Sequence, residues 1–177
     1  IGNLTFAAEK AGIDLLTEAH VKDLFRDGYQ ITGLKLERPD GSSETVGCEA
    51  LILACNGYGG NPEMVLRYIP EMADAMYFGH PGNQGDAVNW GTELGAGTRD
   101  LSSFQGHGSV AHPHGILITW VLLTEGGILV NANGRRFTNE HEGYSEQAKR
   151  VLAQVDGLAW DIYDHRLHLL GLGFKEY

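Results

Sequence analysis

Cysteine, proline and positive charge are scarce in this sequence, and long hydrophobic runs are missing. Only two cysteines, Cys48 and Cys55, occur among 177 residues. With apolar neighbours and six residues between them, they offer neither a disulfide framework nor a zinc-knuckle spacing. A reducing, cytoplasmic setting is the expectation. The formal net charge of −10 leaves no basic stripe to neutralise phosphates, which argues against a nucleic-acid partner. The longest apolar stretch, Gly115 to Leu123, is far too short for a membrane-spanning helix. His107, His112, His114, His165 and His168 invite a metal, but no H-E-x-x-H pair at helical spacing occurs, so none is expected.

Glycine is what the chain has in quantity, with 25 residues against 5 prolines. Many backbone positions therefore suit tight turns or close approach to a ligand. At 42% hydrophobic residues, a core of one domain or slightly more can form. Short apolar segments at 13–17, 21–25, 31–36 and 43–46 read as strands, with Asp-Gly turns in "RDGYQ" and "RPDGSS". Leu51 to Ala54 reads as a short strand buried on both faces, running into the glycine turn "CNGYGGN". Asn61 and Pro62 start a helix that Pro70 ends, and "GNQGDA" leads a second helix with Asp86 at its positive end. Strands follow at 128–130 and 158–162, with a helix around Ala148, Val151 and Leu152 between them, and a new helix begins at Asp164. "IGNLTFAAEKAGIDLL" enters mid-helix, so a piece of a longer protein is expected.

Three segments carry chemical potential, each beside a plainer reading. The glycine turn could bring backbone N–H groups to a ligand or could be a turn only. Asp86 could accept a sugar hydroxyl or simply cap its helix. "GRRFTNEHEGYSEQA", residues 134–148, could be a site or a solvated connection. There Ser145 reads as an N-cap, which would set the Tyr144 phenol near a helix dipole that favours its anion.

The order "ALILACNGYGGNPEMVLRYIP", "GNQGDAVNWGTELGA", "FQGHGSV", "GGILVNANGRRFTNE" resembles the flavoprotein family of fumarate reductases and succinate dehydrogenases, which also contains the ketosteroid dehydrogenases. The resemblance implies an α/β to α+β fold. Residues 1–104 would be part of an FAD-binding domain with a β-meander, and 105–177 the start of a substrate-capping domain. The family's strand–G-x-G-x-x-G–helix motif is absent, so FAD is expected in the intact protein and not in this fragment, which should be inactive alone. By the same resemblance Val21, Ala54, Gly57, Gly85 and Asp86 would meet FAD, and His107 and Thr119 a small-molecule substrate. Cys55 and Asn56 stand where the family usually has Thr and Gly.

Fumarate reductases deliver a proton through an Arg four residues after "N-E", fed by a Glu and another Arg. Tyr144, Trp120 and Leu123 occupy those positions here, and a phenol and an indole cannot clamp a dicarboxylate. Tyr144 instead matches the acid/base tyrosine of the ketosteroid dehydrogenases. The resemblance thus implies a flavin oxidoreductase acting on a C–C bond beside a carbonyl, on a substrate less anionic than fumarate. Trp120, Leu122 and Leu123 would suit an apolar substrate or a core. The competing expectations are a non-catalytic module that has lost the relay, and a small α/β domain with no flavin history.

Overall fold

In a computed structural model describing residues 2–174, the chain packs into two units. The first comprises the residues up to Cys55 together with Asn89–Ala96, the second Asn56–Val88 and the chain from Gly97 onward.

In the first unit, helix α1 (Gly2–Lys10) buries no side chain, and Leu4 and Phe6 stay exposed. The expected strand at 13–17 does not form. Ile13, Leu15 and Leu16 are exposed, and no strand among the described residues pairs with them, so extended backbone there gains no ladder. The meander is present as an antiparallel sheet of β1 (His20–Asp27), β2 (Gln30–Glu37) and β3 (Ser43–Gly47). Asp27 pairs with Gln30 across a two-residue turn whose Gly28 has φ +60, a conformation that glycine adopts without strain. Arg38 ties the sheet to the irregular entry segment: its guanidinium pairs with Glu44 at 2.9 Å and donates to the Thr17 carbonyl at 2.8 Å.

Leu51 to Ala54 is also not a strand. It pairs with no neighbour among the described residues, and Ile52 is 86% exposed. An apolar run becomes a two-faced central strand only when strands flank it, and none does here. Cys55 is exposed, against the apolar setting expected for it.

The second unit begins with the best-capped element of the chain. Helix α2 (Pro62–Tyr68) has Asn61 at its N-cap, whose Oδ1 accepts from the N–H groups of Glu63 and Met64, and Pro70 opens a separate 3-10 turn. Helix α3 (Asp86–Glu93) starts in this unit and ends in the first, where Trp90 and the following Leu94 line a shallow groove with Leu24 and Ile31. A small ribbon, β4 (Val110–Ala111) and β5 (Ile116–Leu117), precedes the short helix α4 (Val121–Thr124). Strand β6 (Ile128–Val130) then pairs antiparallel with β7 (Trp160–Ile162), and α5 (Tyr144–Leu152) lies between them in sequence. Asp164 caps α6 (His165–Gly171) by accepting from the Leu167 N–H.

The core of this unit is Trp120, Leu123 and Leu129, packed by Phe137, Val151 and Ala159. Leu122 is equally buried, against Gly171 of α6. Trp120, Leu122 and Leu123 are therefore core residues and do not form an open apolar surface for a substrate.

Candidate active site

The segment Gln105–Ser109 is laid against the first turn of α5, and glycine makes that approach possible. A Cβ at Gly106 would stand 2.6 Å from the Ala148 Cβ, and one at Gly108 2.6 Å from the Gln147 Cβ. With both positions bare, the Gly106 N–H donates to Ser145 Oγ at 2.9 Å and the Gly108 N–H to the Tyr144 carbonyl at 3.0 Å. Ser145 is therefore not the helix cap that its position suggests. The helix starts at Tyr144, two residues before the start a Ser145 cap would set, after Gly143 with φ +112, and the Ser145 hydroxyl serves the facing strap.

This docking brings two residues 37 positions apart into one aromatic cluster. The His107 ring stacks on Tyr144, centroids 5.3 Å apart and planes 25° from parallel, and meets Trp120 edge-on at 5.9 Å. The Gln105 side-chain amide donates to the Tyr144 phenol oxygen at 2.8 Å. His107 is partly buried, and burial pushes its imidazole below the ordinary histidine range. Its Nδ1 accepts the Ser109 N–H at 3.2 Å. The Trp120 indole N–H is buried and has no acceptor among the described residues. Thr119, half-buried, is next to Trp120 in the chain.

Behind the cluster lie polar residues that sequence reading left unassigned. Glu140 is 1% exposed and accepts from the Leu129 N–H at 2.8 Å while pairing with Arg136 at 2.5 Å. Burial pushes its carboxyl up, but the Arg136 pair and the Leu129 N–H outweigh that and hold it below the usual range. Gln147, fully buried, donates to the Asn139 carbonyl at 2.8 Å and accepts from Thr138 Oγ1 at 2.7 Å. The dense polar run 134–148 is thus not simply a solvated connection: its buried members brace the loop that leads to Tyr144. Nothing in the sequence distinguishes Glu140 and Gln147 from the polar residues around them.

The two glycine-rich segments come together in the second unit. The Gly60 N–H donates to the Asn83 carbonyl at 2.9 Å, and the Gln84 amide donates back to the Gly60 carbonyl at 2.8 Å. Gly85, at φ +90, faces Met64 and Tyr58 so closely that a Cβ would overlap the Met64 sulfur. The Met64 side chain could shift aside, so it is the left-handed φ that favours glycine there. Asp86 opens α3. Asn56 takes a left-handed φ of +64, which asparagine tolerates better than most residues, so it preserves a turn suited to glycine. A Cβ at Gly57 would meet nothing within 4 Å, and Ala54 to Asn56 are exposed. The turn at Asn56 and Gly57 thus leaves its backbone open to approach. Val21, on β1 opposite Leu36, and Ala54 belong to the first unit. Gly57, Gly85, Asp86, His107, Thr119 and Tyr144 belong to the second.

Residues 3–161 match the family described as FAD binding domain. The chain is 31% identical over 169 residues to the probable fumarate reductase Ifc3 of Shewanella frigidimarina, covering 95% of this chain and 29% of that protein. It is 26% identical over 186 aligned residues to a 3-oxosteroid 1-dehydrogenase of Mycobacterium tuberculosis, covering 94% of this chain and 32% of the relative. A flavocytochrome c3 fumarate reductase in an open conformation superposes with a TM-score of 0.80 at 29% identity, over 97% of this chain and 31% of that one. The chain spans from 19% to 32% of the length of such curated relatives. With the match running over most of its length, the chain belongs to the FAD-binding domain family of flavoproteins.

Proposed function

We propose that the chain is part of an FAD-dependent oxidoreductase that transfers a hydride between flavin and a C–C bond next to a carbonyl, with Tyr144 as its acid/base. The observation that carries this reading is the His107–Tyr144 stack, with the phenol oxygen held by Gln105 at 2.8 Å. FAD, when bound, supplies the hydride acceptor or donor. Val21, Ala54, Gly57, Gly85 and Asp86 would hold it, the open turn at Gly57 giving the backbone approach. His107 and Thr119 would orient the small-molecule substrate, and Tyr144 would take or give the proton on the carbon beside the carbonyl. Residues 1–104 would form part of the FAD-binding domain and 105–177 would begin the capping domain.

Curated relatives include both fumarate reductases and oxosteroid dehydrogenases. The absence of a guanidinium at 120, 123 and 144 favours an uncharged substrate over a dicarboxylate. In the full-length, FAD-loaded protein, Tyr144→Phe is expected to lower turnover of a steroid or enoyl panel about 10²- to 10⁴-fold, the usual weight of an acid/base group. Normal turnover in that variant would overturn the assignment.

A second reading is a flavoprotein-like module without catalysis. It is favoured by the burial of Trp120 and Leu123, two of the three relay positions, in the core. Single-turnover flavin reduction by the same panel separates the two.

A further inference from the structure

We propose that Ser109 and Asp161 are positioning residues that hold His107 as the neutral imidazole with its proton on Nε2. The inference deepens the proposed function, since it concerns the histidine assigned there to the substrate.

The Ser109 backbone N–H donates to His107 Nδ1 at 3.2 Å. An N–H can donate only to a lone pair, so Nδ1 carries no proton and the ring's single proton sits on Nε2. Both neighbours of the ring are aromatic: Tyr144 lies parallel to it and Trp120 meets it edge-on. Neither brings a carboxylate to the ring, and the half-buried setting disfavours an imidazolium.

Ser109 itself is fastened at every polar atom. Its N–H is on His107, its carbonyl accepts the Ile118 N–H at 3.2 Å, and its hydroxyl donates to Asp161 Oδ2. Asp161 lies in β7, in register with Leu129 of β6, whose N–H is in turn bound by Glu140. Nothing in the proposed chemistry otherwise uses this pair of a buried serine and a half-buried carboxylate. Its effect is to fix where the Ser109 N–H points. A site arranged in this way offers a neutral N–H donor, which suits the oxygen of an uncharged carbonyl. Binding a carboxylate would draw on a cation instead.

The test is a long-range 1H–15N correlation spectrum at neutral pH of the full-length, FAD-loaded protein, labelled with 15N-histidine. His107→Gln identifies the His107 signals. The expected pattern is one unprotonated Nδ1 and one protonated Nε2. An imidazolium pattern, or a proton on Nδ1, overturns the proposal. Ser109→Ala keeps the backbone N–H but loses the anchor, and is expected to give a mixture of the two neutral tautomers. Asp161→Asn keeps an acceptor for the serine hydroxyl and should retain the native pattern. A native spectrum in Ser109→Ala would remove the positioning role. The spectrum is read without turnover, so it stays informative even if Tyr144→Phe shows that Tyr144 is not the acid/base.

Discussion

The imidazole of His107 lies stacked on the phenol of Tyr144, 5.3 Å between ring centroids, although the two residues come from a glycine strap and a helix start. The stack exists because Gly106 and Gly108 let the strap touch α5 without side chains between them. Packing and chemistry thus meet in one pair, and substitutions can separate them.

Tyr144→Phe preserves the ring and hence the stack, while losing the oxygen that Gln105 holds. If Tyr144 only packs, Phe is tolerated and Tyr144→Leu is not. If it is the acid/base, both variants lose turnover, and only Leu also lowers the thermal midpoint. Steady-state rates together with melting curves distinguish these outcomes.

Gly108→Ala forces a methyl group to within 2.6 Å of the Gln147 Cβ and 3.0 Å of the Gln147 carbonyl carbon, both on α5. A helix backbone cannot yield as a flexible side chain can. The expected cost is about 1–3 kcal/mol, the range for overpacking, read as a lower urea midpoint. Gly95→Ala, with nothing within 4 Å but a φ of +85, is the control for backbone strain without a clash.

Glu140→Ala would leave the buried Leu129 N–H without its acceptor. The expected loss is about 1–3 kcal/mol, that of an unsatisfied buried donor. Glu140→Gln retains an acceptor and should cost less. The Glu140 carboxyl is held below the ordinary range, so its contribution is present above the unfolded carboxylate value and is lost as pH falls through the folded one. Denaturation midpoints should therefore drop on acidification, and less so in Glu140→Gln.

Asp161 runs the other way. Burial pushes its carboxyl up, with the Ser109 hydroxyl only partly opposing that. The folded state then binds the proton more readily than the unfolded one, so this group costs stability at neutral pH and the cost vanishes on acidification. Asp161→Asn, which keeps an acceptor for Ser109, is expected to raise the melting temperature at pH 7 and to match the native protein in acid. A lower melting temperature at pH 7 would contradict this.

The 177-residue chain expressed alone is expected to purify without flavin, because it has no G-x-G-x-x-G to receive the pyrophosphate. Flavin absorbance that survives gel filtration would contradict this.

Local chemistry was legible wherever a side chain acts on its own backbone. Asn61 and Pro62 start α2, Asp164 starts α6, and the Asp27-Gly28 turn closes the first hairpin, all through contacts a few residues apart in the chain. Segments 13–17 and 51–54 read as strands from their apolar runs, yet strand formation depends on a partner, and neither segment has one among the described residues. Ser145 looks like a cap because a helical pattern begins directly after it, but its hydroxyl goes to Gly106, 39 residues away.

The same division holds at the candidate site. The residue order around His107 and Tyr144, the missing guanidinium groups and the family resemblance are properties of the sequence alone, since they depend on identity and spacing. Tertiary structure decided that the two rings touch, that Trp120 and Leu123 belong to the core, and that Ser109 and Asp161 stand behind His107. Those relationships join positions tens of residues apart, and short-range periodicity carries no information about which distant surfaces meet.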